Sequence, residues 1–576
     1  MNNAEISAVF EQVADLLEFQ GANPFRVRAY RNGARAVADL PQSVAQIVVD
    51  AEPEEKVARL TQIGGIGRDL AEKIVTLLDT GQLPMLVELE QQVPAGVMAL
   101  LRVPGLGPKK AAALFRELNI ASLDQLREAC QAGQVRKLKG FGKKTEETIL
   151  RGLDIAAAAD DRMYWATADQ YAQAVQAHLK DFPGVRQIQL AGSYRRGRET
   201  VGDLDVLVDC DNAAEVMDRF GQFDGAAEVL ARGDTKMSIR LASGLQIDLR
   251  AVPAESFGAA LQYFTGSKDH NVVLRGMAKD RGLKINEYGV FRDDKYVAGR
   301  TEEDVYATLD LPCFPPEIRE ARREFDWAAQ GPLPELVELS DIRGDLHMHT
   351  TATDGKADLE TMIAAARERG LKYIAITDHS QRVSMARGLD EKRLREQWGQ
   401  IDALNETLRG FTVLKGIEVD ILEAGGLDLP DGVLADADWV VASVHYGQNQ
   451  SRAQITRRIV DALANPHVSA IAHPTGRLIN RREPYQVDLD AVFEAAGEHG
   501  KMLELNANPA RLDLNDVACA GAKAQGIPIV ISTDAHSPAG LDCMRYGVLQ
   551  ARRGGLTKAD VANTRSWRQM KKLLGI

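Results

Sequence analysis

The spacing of apolar residues indicates that the first part of the chain is helical. Up to about residue 151, apolar side chains recur three, four and seven positions apart, as in Phe10, Val13 and Leu17, and Gly or Pro separates the runs. This pattern predicts an all-α N-terminal region with no strand.

Short β-rich runs appear after the helical region. From about Tyr164 to Pro312 they alternate with helical stretches, which predicts a mixed α/β unit. The clearest runs are Ile188 to Ala191, Leu204 to Val208 and Leu245 to Val252.

The C-terminal part, from Asp341 onward, alternates apolar strands with helical patterns, as a barrel of βα units does. The stretch before it, residues 321–339, contains Gly331, Pro332 and Pro334 and is predicted to be a linker. The strands expected in the barrel include Tyr373 to Ile376, Trp439 to Ala442, Ser469 to Ala472 and Ile529 to Ile531.

Length and composition indicate several soluble domains. A chain of 576 residues is expected to form roughly three to five domains. No window approaches the roughly 18 apolar residues of a membrane span, and the first 20 residues carry acidic groups, so we expect a cytoplasmic protein without a membrane partner. The five cysteines are scattered, so any metal must be held by His and carboxylates.

Charge and histidine are unevenly distributed. The net charge of −12 argues weakly against nucleic acid as a partner, but residues 100–155 hold eleven Lys and Arg against six Asp and Glu. Eight of the ten histidines follow residue 340, which marks the C-terminal part as chemically distinct.

Three glycine turns repeat within the helical region, and each precedes a helical run. Such a turn presents free backbone N–H groups and the positive end of a helix dipole to a backbone phosphate. The turns resemble helix-hairpin-helix modules, which grip the DNA backbone without reading sequence. The residues expected to bind DNA are Gly65, Gly67, Gly105, Gly107, Lys109, Lys110, Gly140, Gly142, Lys143 and Lys144.

The α/β unit contains three acids with strand spacing. Asp203 and Asp205 lie two residues apart, so a strand projects both on one face, and Asp248 lies in a second apolar run. Three close carboxylates repel one another unless divalent cations intervene, and two such ions clamp an in-line phosphoryl transfer. With Ser193 and Arg196 upstream on a glycine-started turn, the pattern predicts nucleotidyl transfer.

Residues 1–315 resemble the family X DNA polymerases, which include polymerase beta, through Gly-Ser-Tyr-Arg-Arg-Gly from Gly192, Gly-Asp-Leu-Asp from Gly202, Asp248, and Tyr-Phe-Thr-Gly-Ser from Tyr263. The resemblance implies two Mg²⁺ or Mn²⁺ ions on Asp203, Asp205 and Asp248, with Asp248 also deprotonating the primer 3′-hydroxyl. It places the triphosphate on Ser193, Arg196 and Gly202, the sugar against Tyr263 and Phe264, and the minor groove beside Asn271 and Arg275. Lys268 departs from the family, since polymerase beta has an acid there.

The same resemblance implies a 5′-deoxyribose-phosphate lyase in the N-terminal module. Lys73 aligns with the nucleophile that forms a Schiff base, and Tyr30 matches a supporting tyrosine. Arg68 replaces a family lysine, and as a cationic neighbour it is expected to favour the unprotonated amine of Lys73.

Nine potential metal ligands follow separate predicted strands of the C-terminal part, where barrel active sites gather their side chains. Such His and carboxylate sites suit Zn²⁺, Mn²⁺ or Fe, on which bound water becomes a nucleophile near neutral pH, so phosphoester hydrolysis is the predicted chemistry. The residues are His347, His349, Asp354, His379, Glu418, His445, His473, Asp534 and His536.

Residues 341–576 resemble the PHP (polymerase and histidinol phosphatase) domain, and all nine family metal positions are filled. The resemblance implies up to three Zn²⁺ or Mn²⁺ ions and an active phosphoesterase on a distorted (β/α)7 barrel. His467 and His499 match no ligand and are expected to be structural. A PHP domain behind a family X polymerase is the architecture of the bacterial and archaeal PolX family.

The expected protein is a multidomain, monomeric repair polymerase, associated with the nucleoid, that fills short gaps in nicked or gapped DNA from dNTPs and trims 3′ ends as a 3′-to-5′ exonuclease. Two alternatives stay open: template-independent nucleotidyl transfer with a PHP phosphatase, and a non-catalytic DNA-binding scaffold. The predicted divisions are an N-terminal helical domain (1–95), a fingers-like helical domain (96–160), a nucleotidyltransferase palm (161–255), a thumb (256–320), a linker (321–340) and the PHP domain (341–576).

Overall fold

A computed structural model gives the fold of the protein. Its contacts divide the chain into two compact units, Met1–Asp161 and Arg162–Ile576. Two predicted DNA contacts, Gly105 and Lys144, lie outside the described residues. The structure describes residues 3–38, 44–93, 97, 100, 103, 106–143, 145–147, 149–150, 153, 162–241, 243–479, 482 and 484–574.

The first unit is helical throughout its described part, as predicted. Its long first two helices pack face to face, and the rings of Phe10 and Tyr30 meet edge to face with centroids 5.6 Å apart in the core between them. The helices are Asn3–Gln20, Pro24–Ala38, Val44–Val49, Lys56–Leu60, Arg68–Thr80, Pro84–Gln91, Pro108–Leu118 and Leu123–Gln131.

The second unit begins with a palm built on a five-stranded sheet. The strands are β1 (Met163–Tyr164), β2 (Val185–Leu190), β3 (Thr200–Val201), β4 (Asp203–Cys210), β5 (Ala226–Arg232), β6 (Lys236–Leu241) and β7 (Gln246–Ala251). The order in the five-stranded sheet is β2-β4-β7-β6-β5, with β4 and β7 parallel and the other pairs antiparallel, while β1 and β3 form a separate pair. The helices are Trp165–Lys180, Gly192–Arg195 and Ala213–Gly221.

The two faces of the palm sheet carry different chemistry because side chains alternate along a strand. Leu204 and Val206 of β4 pack with the two long palm helices in one core. Leu207 packs on the opposite face against Phe257 and Leu261. Strand alternation therefore turns the odd-numbered acids of β4 toward the thumb side.

The thumb combines three helices with a small antiparallel sheet. Leu274, Tyr306 and Phe314 are buried in its core. The helices are Phe257–Thr265, Lys268–Asp280 and Glu302–Ala307, and the strands are β8 (Lys284–Asn286), β9 (Gly289–Arg292) and β10 (Lys295–Ala298).

The predicted linker, 321–340, contains the helix Glu324–Gln330, which packs on the thumb core through Phe325, Trp327 and Ala328. The role of the segment as a linker stays a prediction. The buried Glu324 carboxylate accepts a hydrogen bond from the Ala321 backbone N–H (2.6 Å) and lies 2.9 Å from His270 Nδ1. Gly331 and the prolines after it mark only where the helix ends. Aromatic contacts anchor the same helix, since the ring of Phe325 stacks on His270 with centroids 4.8 Å apart.

The C-terminal domain is a curved sheet of seven parallel strands in sequential order, as predicted. Its ends meet through a bridge between Met348 and Ala535, with His349 N donating to Ala535 O (2.9 Å), which nearly closes a barrel. The strands are β11 (Gly344–Asp345), β12 (Tyr373–Ile376), β13 (Thr412–Asp420), β14 (Trp439–Ser443), β15 (Ala470–Ile471), β16 (Met502–Asn506) and β17 (Ile529–Ser532).

Helices surround this barrel and share one apolar core with the outer faces of its strands, while a second cluster that includes Tyr373, Trp439 and Val441 fills its interior. Among the helices that the structure describes in the whole chain, none has the length and apolar character to cross a membrane. The helices of the barrel are Leu359–Glu368, Glu391–Thr407, Asp431–Leu434, Arg452–Ala464, Leu489–Glu498, Asp516–Ala524, Met544–Arg553 and Trp567–Leu574.

Candidate active sites and DNA-binding turns

The three palm acids come together on neighbouring parallel strands. Asp205 of β4 lies directly opposite Asp248 of β7, and Asp203 lies two residues earlier on the same face of β4. Strand alternation explains why Asp203 and Asp205 share one face, and the register of β4 with β7 brings Asp248 to them. The arrangement fits the predicted two-ion site.

The charges of this cluster differ among its members. Burial, followed by the like charges of Asp203 and Asp248, raises the pKa of Asp205 to about 7. Burial acts the same way on Asp248, but hydrogen bonds from Lys236 (Nζ to Oδ2, 2.9 Å) and Gln246 (Nε2 to Oδ1, 2.8 Å) lower its pKa. Close carboxylates of this kind are the donor set that divalent cations neutralise.

Gly192 leaves the space that the Asp205 carboxylate occupies. Its backbone has φ +63°, and a Cβ built there would lie 2.5 Å from Asp205 Oδ2. Gly192→Ala should therefore lower gap filling at least about tenfold by displacing the carboxylate. Gly225→Ala is the matched control, since Gly225 also has a positive φ but faces open space. Equal rates for both variants, measured on a one-nucleotide gap, would contradict this role of Gly192.

The predicted triphosphate contacts border the acid cluster. Ser193 lies in the short helix Gly192–Arg195, and Gly202 directly precedes β4. The Arg196 guanidinium donates to the Thr265 carbonyl oxygen and, through Nε at 3.2 Å, to Glu320 Oε1.

The residues predicted to contact sugar and base lie on two successive thumb helices. The rings of Tyr263 and Phe264 meet edge to face, 5.2 Å apart. Asn271 donates to the Tyr263 carbonyl oxygen (2.7 Å), and Arg275 is exposed on the same helix as Asn271. The roles that the resemblance assigns to these residues stay predictions.

The nine predicted PHP ligands converge at the C-terminal side of the barrel strands. His347 and His349 follow β11, His379 follows β12, His445 follows β14 and His473 follows β15. Glu418 lies within β13, Asp354 lies in the loop after His349, and Asp534 and His536 follow β17.

Glu418 is the centre of this cluster and is fully buried. Its Oε2 lies 2.7 Å from His379 Nδ1, and its Oε1 lies 3.3 Å from Nε2 of both His445 and His473. His347 Nε2 is 3.5 Å from Glu418 Oε2. His349 Nε2 is 3.8 Å from the same oxygen, so one carboxylate faces five imidazoles.

Asp354 and Asp534 complete the ligand set. Asp354 Oδ2 lies 3.5 Å from His379 Nε2 and 3.4 Å from His536 Nε2, and Asp534 Oδ1 lies 3.1 Å from His349 Nε2. Within the described chain, three groups have ligand atoms within 4.8 Å of one another. They are His349, Asp354, His379 and His536; His347, His349 and Asp534; and His379, Glu418 and His445.

Several buried ligand atoms of this site have no hydrogen-bond partner in the described part of the chain, including both carboxylate oxygens of Glu418, His347 Nε2, His349 Nδ1 and His473 Nδ1. Buried polar atoms left unpaired are costly, and so many at one point indicate bound cations. Imidazole nitrogens and carboxylate oxygens suit Zn²⁺, Mn²⁺ or Fe. The residues therefore fit a metal centre.

Sequence reasoning missed the residues that orient these ligands. Glu504 Oε1 lies 2.7 Å from His347 Nδ1, its Oε2 accepts from the His473 backbone N–H at 2.6 Å, and Asp420 Oδ1 lies 3.1 Å from His445 Nδ1. Such partners fix the orientation of a ligating ring. Their signal was a carboxylate inside an apolar strand: Leu-Glu504-Leu in β16, and Asp420 two residues after Glu418.

The three glycine turns of the first unit share one hydrogen-bond pattern. The residue between the glycines, Ile66, Leu106 or Phe141, is buried, and its N–H donates to the carbonyl three residues earlier (2.9–3.0 Å). The second glycine of each turn, Gly67, Gly107 or Gly142, accepts from the N–H four residues later. The apolar residue anchors each turn, and the second glycine of each, Gly67, Gly107 or Gly142, is exposed.

Four glycines of these turns leave room for a phosphate, whereas a Cβ built at Gly65 would lie 3.3 Å from Ala36 Cβ. A Cβ built at Gly67, Gly107, Gly140 or Gly142 would meet no atom within 4 Å. Lys109 and Lys143 are exposed beside these turns. Both observations agree with the predicted backbone contacts.

DNA binding should therefore depend on salt through these lysines. Each phosphate contact adds about 0.9 to the slope of log K against log salt on duplex DNA, so Lys109→Ala with Lys143→Ala should reduce that slope by about 1.8 for any sequence. Lys392→Ala, which removes an exposed lysine from a helix of the PHP domain, should leave the slope unchanged. A native slope in the double variant would exclude these turns from the DNA interface.

Lys73 has a different neighbour from the one predicted. Its amine pairs with the Asp69 carboxylate and lies 5.9 Å from the centre of the Tyr30 ring, and its side chain is 19% exposed. Arg68 instead pairs with Glu72 at 3.0 Å, because residues four apart share one face of the helix. The expectation that Arg68 acts on Lys73 is wrong, although Lys73 and Tyr30 do lie together.

A lyase reaction at Lys73 would leave a covalent trace. Borohydride should trap the native protein on DNA with a 5′-deoxyribose phosphate, since it reduces the Schiff base of a lysine amine. Lys73→Arg keeps the charge but should lose at least about nine-tenths of the adduct. An adduct of native yield in this variant would assign the reaction to another amine.

Family comparisons agree with this geometry. Residues 162–239 match the family described as DNA polymerase beta palm, 260–320 the DNA polymerase beta thumb, and 345–508 the PHP domain. Residues 1–83 match a helix-hairpin-helix domain, and 97–154 match a SAM-like helix-hairpin-helix tandem. Fold and sites thus define a polymerase of the beta type joined to a PHP domain.

Individual relatives narrow this class. The Bacillus subtilis protein named DNA polymerase/3′-5′ exonuclease PolX is 41% identical over 578 residues, which cover 100% of this chain and 99% of that protein. The chain belongs to this PolX family. Rat DNA polymerase lambda is 26% identical over 55% of this chain and 56% of its own length. An Acetivibrio thermocellus protein named "Probable phosphatase" is 31% identical over 33% of this chain and 78% of its own length.

Proposed function

We propose that this protein is a DNA polymerase that fills short gaps from dNTPs, and that its PHP domain hydrolyses DNA 3′ ends. The observation that supports both activities is that one compact unit carries two separate metal-ligand sets. One is the acid triad in register on β4 and β7. The other is the barrel set, in which eight residues form the three close groups and His473 faces Glu418. The glycine turns supply the grip on DNA.

In gap filling, the primer 3′-hydroxyl oxygen attacks the α-phosphorus of the dNTP and pyrophosphate leaves. Asp203, Asp205 and Asp248 would hold two Mg²⁺ or Mn²⁺ ions, which stabilise the charge on the attacking and leaving oxygens when bound. Asp248 would accept the hydroxyl proton, and its bonds to Lys236 and Gln246 fix the carboxylate. Ser193, Arg196 and Gly202 would bind the triphosphate.

In 3′-end hydrolysis, water attacks the terminal phosphodiester and a nucleotide leaves. The nine barrel ligands would hold up to three Zn²⁺ or Mn²⁺ ions, which activate water and polarise the phosphate when bound. Arg511 would face that phosphate, since its Nε lies 3.7 Å from Asp534 Oδ2 and its buried Nη1 has no hydrogen bond in the described part of the chain. Glu504 and Asp420 hold the imidazoles in place.

The 5′-deoxyribose-phosphate lyase at Lys73 belongs to the same proposal, as does base excision repair as its setting. The monomeric state and the nucleoid location stay predictions from the sequence.

Four gapped duplexes that differ only in the templating base test the proposal. The native protein should add the complementary nucleotide to each primer and, without dNTPs, shorten a labelled 3′ end. Additions that ignore the template base would favour template-independent transfer. Neither product, with DNA binding intact, would favour the non-catalytic scaffold.

A further inference from the structure

A buried row of charges joins the PHP domain to the nucleotide side of the palm. Arg553 ends the helix Met544–Arg553 of the barrel, and its side chain is 1% exposed. Its Nη1 donates to Glu320 Oε1 (3.0 Å) and to the Arg196 carbonyl oxygen (2.8 Å), and its Nη2 donates to Asp516 Oδ2 (2.8 Å). One guanidinium therefore connects the barrel, the end of the thumb and the backbone of Arg196.

Glu320 passes this connection to the side chain of Arg196. Its Oε1 accepts from Arg196 Nε at 3.2 Å, and Arg198 Nη1 lies 3.9 Å away. Although burial acts in the opposite direction, the facing guanidinium groups of Arg553 and Arg196 lower the pKa of Glu320 to about 2. Glu320 is therefore a fixed anion between two cations.

The row leaves part of the Arg196 guanidinium unused. Nε is bonded to Glu320 and Nη1 to the Thr265 carbonyl, while Nη2 has no hydrogen bond to any residue that the structure describes. A guanidinium fork held on two of its nitrogens presents the third in a fixed direction, which favours a phosphate oxygen.

Packing supports the same connection. Gly197 follows Arg196 with φ +66°, and a Cβ built there would lie 2.6 Å from the side chain of Leu549, one turn before Arg553 on the same helix. The turn that carries Arg196 therefore lies directly against the PHP helix, with no space for a larger residue.

We propose that Arg553 and Glu320 are positioning residues for the incoming nucleotide, so that the PHP domain aligns the triphosphate-binding Arg196 of the polymerase site. This inference rests on the proposed polymerase function and on Arg196 as a triphosphate contact. It makes the PHP domain a structural part of the nucleotide site, in addition to being a hydrolase.

Arg553→Lys tests this role and Arg552→Lys is its matched control. Lysine keeps the charge but cannot form the forked contacts of Arg553. Arg552 is the neighbouring arginine and also spans to the thumb, through Glu317 at 2.7 Å, but it does not contact the row. In single-nucleotide gap filling, Arg553→Lys should raise the KM for dNTP about tenfold, as expected for loss of a charge-assisted hydrogen bond, with kcat within about twofold of native. Arg552→Lys should leave both values unchanged.

A double variant separates positioning from general stability. Arg196→Ala should raise the KM for dNTP by itself, and adding Arg553→Lys should raise it no further, because Arg553 acts through Arg196. The melting temperature and 3′-end hydrolysis of Arg553→Lys show whether this variant folds. If it folds poorly, Glu320→Gln takes its place and should raise the KM for dNTP to the same extent. Additive effects, or equal effects of Arg552→Lys and Arg553→Lys, would overturn the inference.

The same variants separate a failure of this inference from a failure of the proposed polymerase function on which it rests. If Arg196→Ala leaves the KM for dNTP unchanged, or the native protein adds no nucleotide at all, the proposed nucleotide site is wrong. If Arg196→Ala raises the KM and Arg553→Lys does not, the nucleotide site stands and only the role of Arg553 fails.

Discussion

Asp205→Asn should lower gap filling by several orders of magnitude while 3′-end hydrolysis continues at the native rate. Asparagine keeps the size of the side chain but removes one of the charges that the two ions require. Asp205 is the acid that links the other two, since it lies beside Asp203 on β4 and opposite Asp248 on β7. Single-turnover extension of a one-nucleotide gap at saturating dNTP measures the loss.

Asp209→Asn provides the control on the same strand. Asp209 is buried on the same face of β4, but it pairs with Arg186 (Nε to Oδ2, 3.0 Å) away from the triad. This variant should lose stability while retaining polymerase activity. If Asp205→Asn also abolished 3′-end hydrolysis in a fully folded protein, one site would have to perform both reactions, and the two-site account would fail.

Strand geometry alone predicts two of the three acids of the triad. Asp203 and Asp205 are two residues apart, so strand alternation places both on the same face. The pairing of Asp205 with Asp248 depends on the register of two strands that are distant in the chain, with a helix and two further strands between them. The resemblance to the family X polymerases implied that Asp248 joins the other two acids, and the register of β4 with β7 explains why it does.

The site in the barrel shows more clearly what spacing along the chain cannot predict. Six histidines and three acids at or near the ends of apolar strands are conspicuous, so all nine candidate ligands could be named from the sequence. Glu504 and Asp420 lie inside buried strands, where a single acid among apolar residues gives a weak signal until the ring that it orients is known. Partners that act through another residue are the ones that a pattern along the chain cannot assign.

Side-chain contacts also explain what the sequence pattern did not show. Residues 321–340 were predicted to be a linker because of Gly331, Pro332 and Pro334, and the pattern gave no sign that Glu324 is buried between the segment's own backbone and His270. Arg68 was expected to act on Lys73, but helical spacing pairs it with Glu72 and pairs Lys73 with Asp69. In both segments, side-chain pairing decided the outcome.

His379→Ala should abolish 3′-end hydrolysis, with a loss of several orders of magnitude, and leave gap filling near the native rate. His379, like His349, belongs to two of the three ligand groups, and it faces both Asp354 and Glu418. Its removal disrupts both groups and leaves the buried Glu418 with one fewer positively charged or metal-bound neighbour. His499→Ala, which removes an exposed histidine just after the helix Leu489–Glu498, should have no effect on either reaction.

A metal titration gives a second measurement that does not depend on activity. A ligand that binds only the folded state at a hundred times its Kd stabilises that state by about 2.7 kcal/mol, so Mn²⁺ should raise the melting temperature of the native protein and a chelator should lower it. His379→Ala should lose most of this rise, while Asp205→Asn should keep it, because the barrel holds the larger and more buried ligand set. If His379→Ala kept both the full rise and 3′-end hydrolysis, His379 would not be a ligand of the hydrolytic site, and the exonuclease would have to be assigned to a different group of residues.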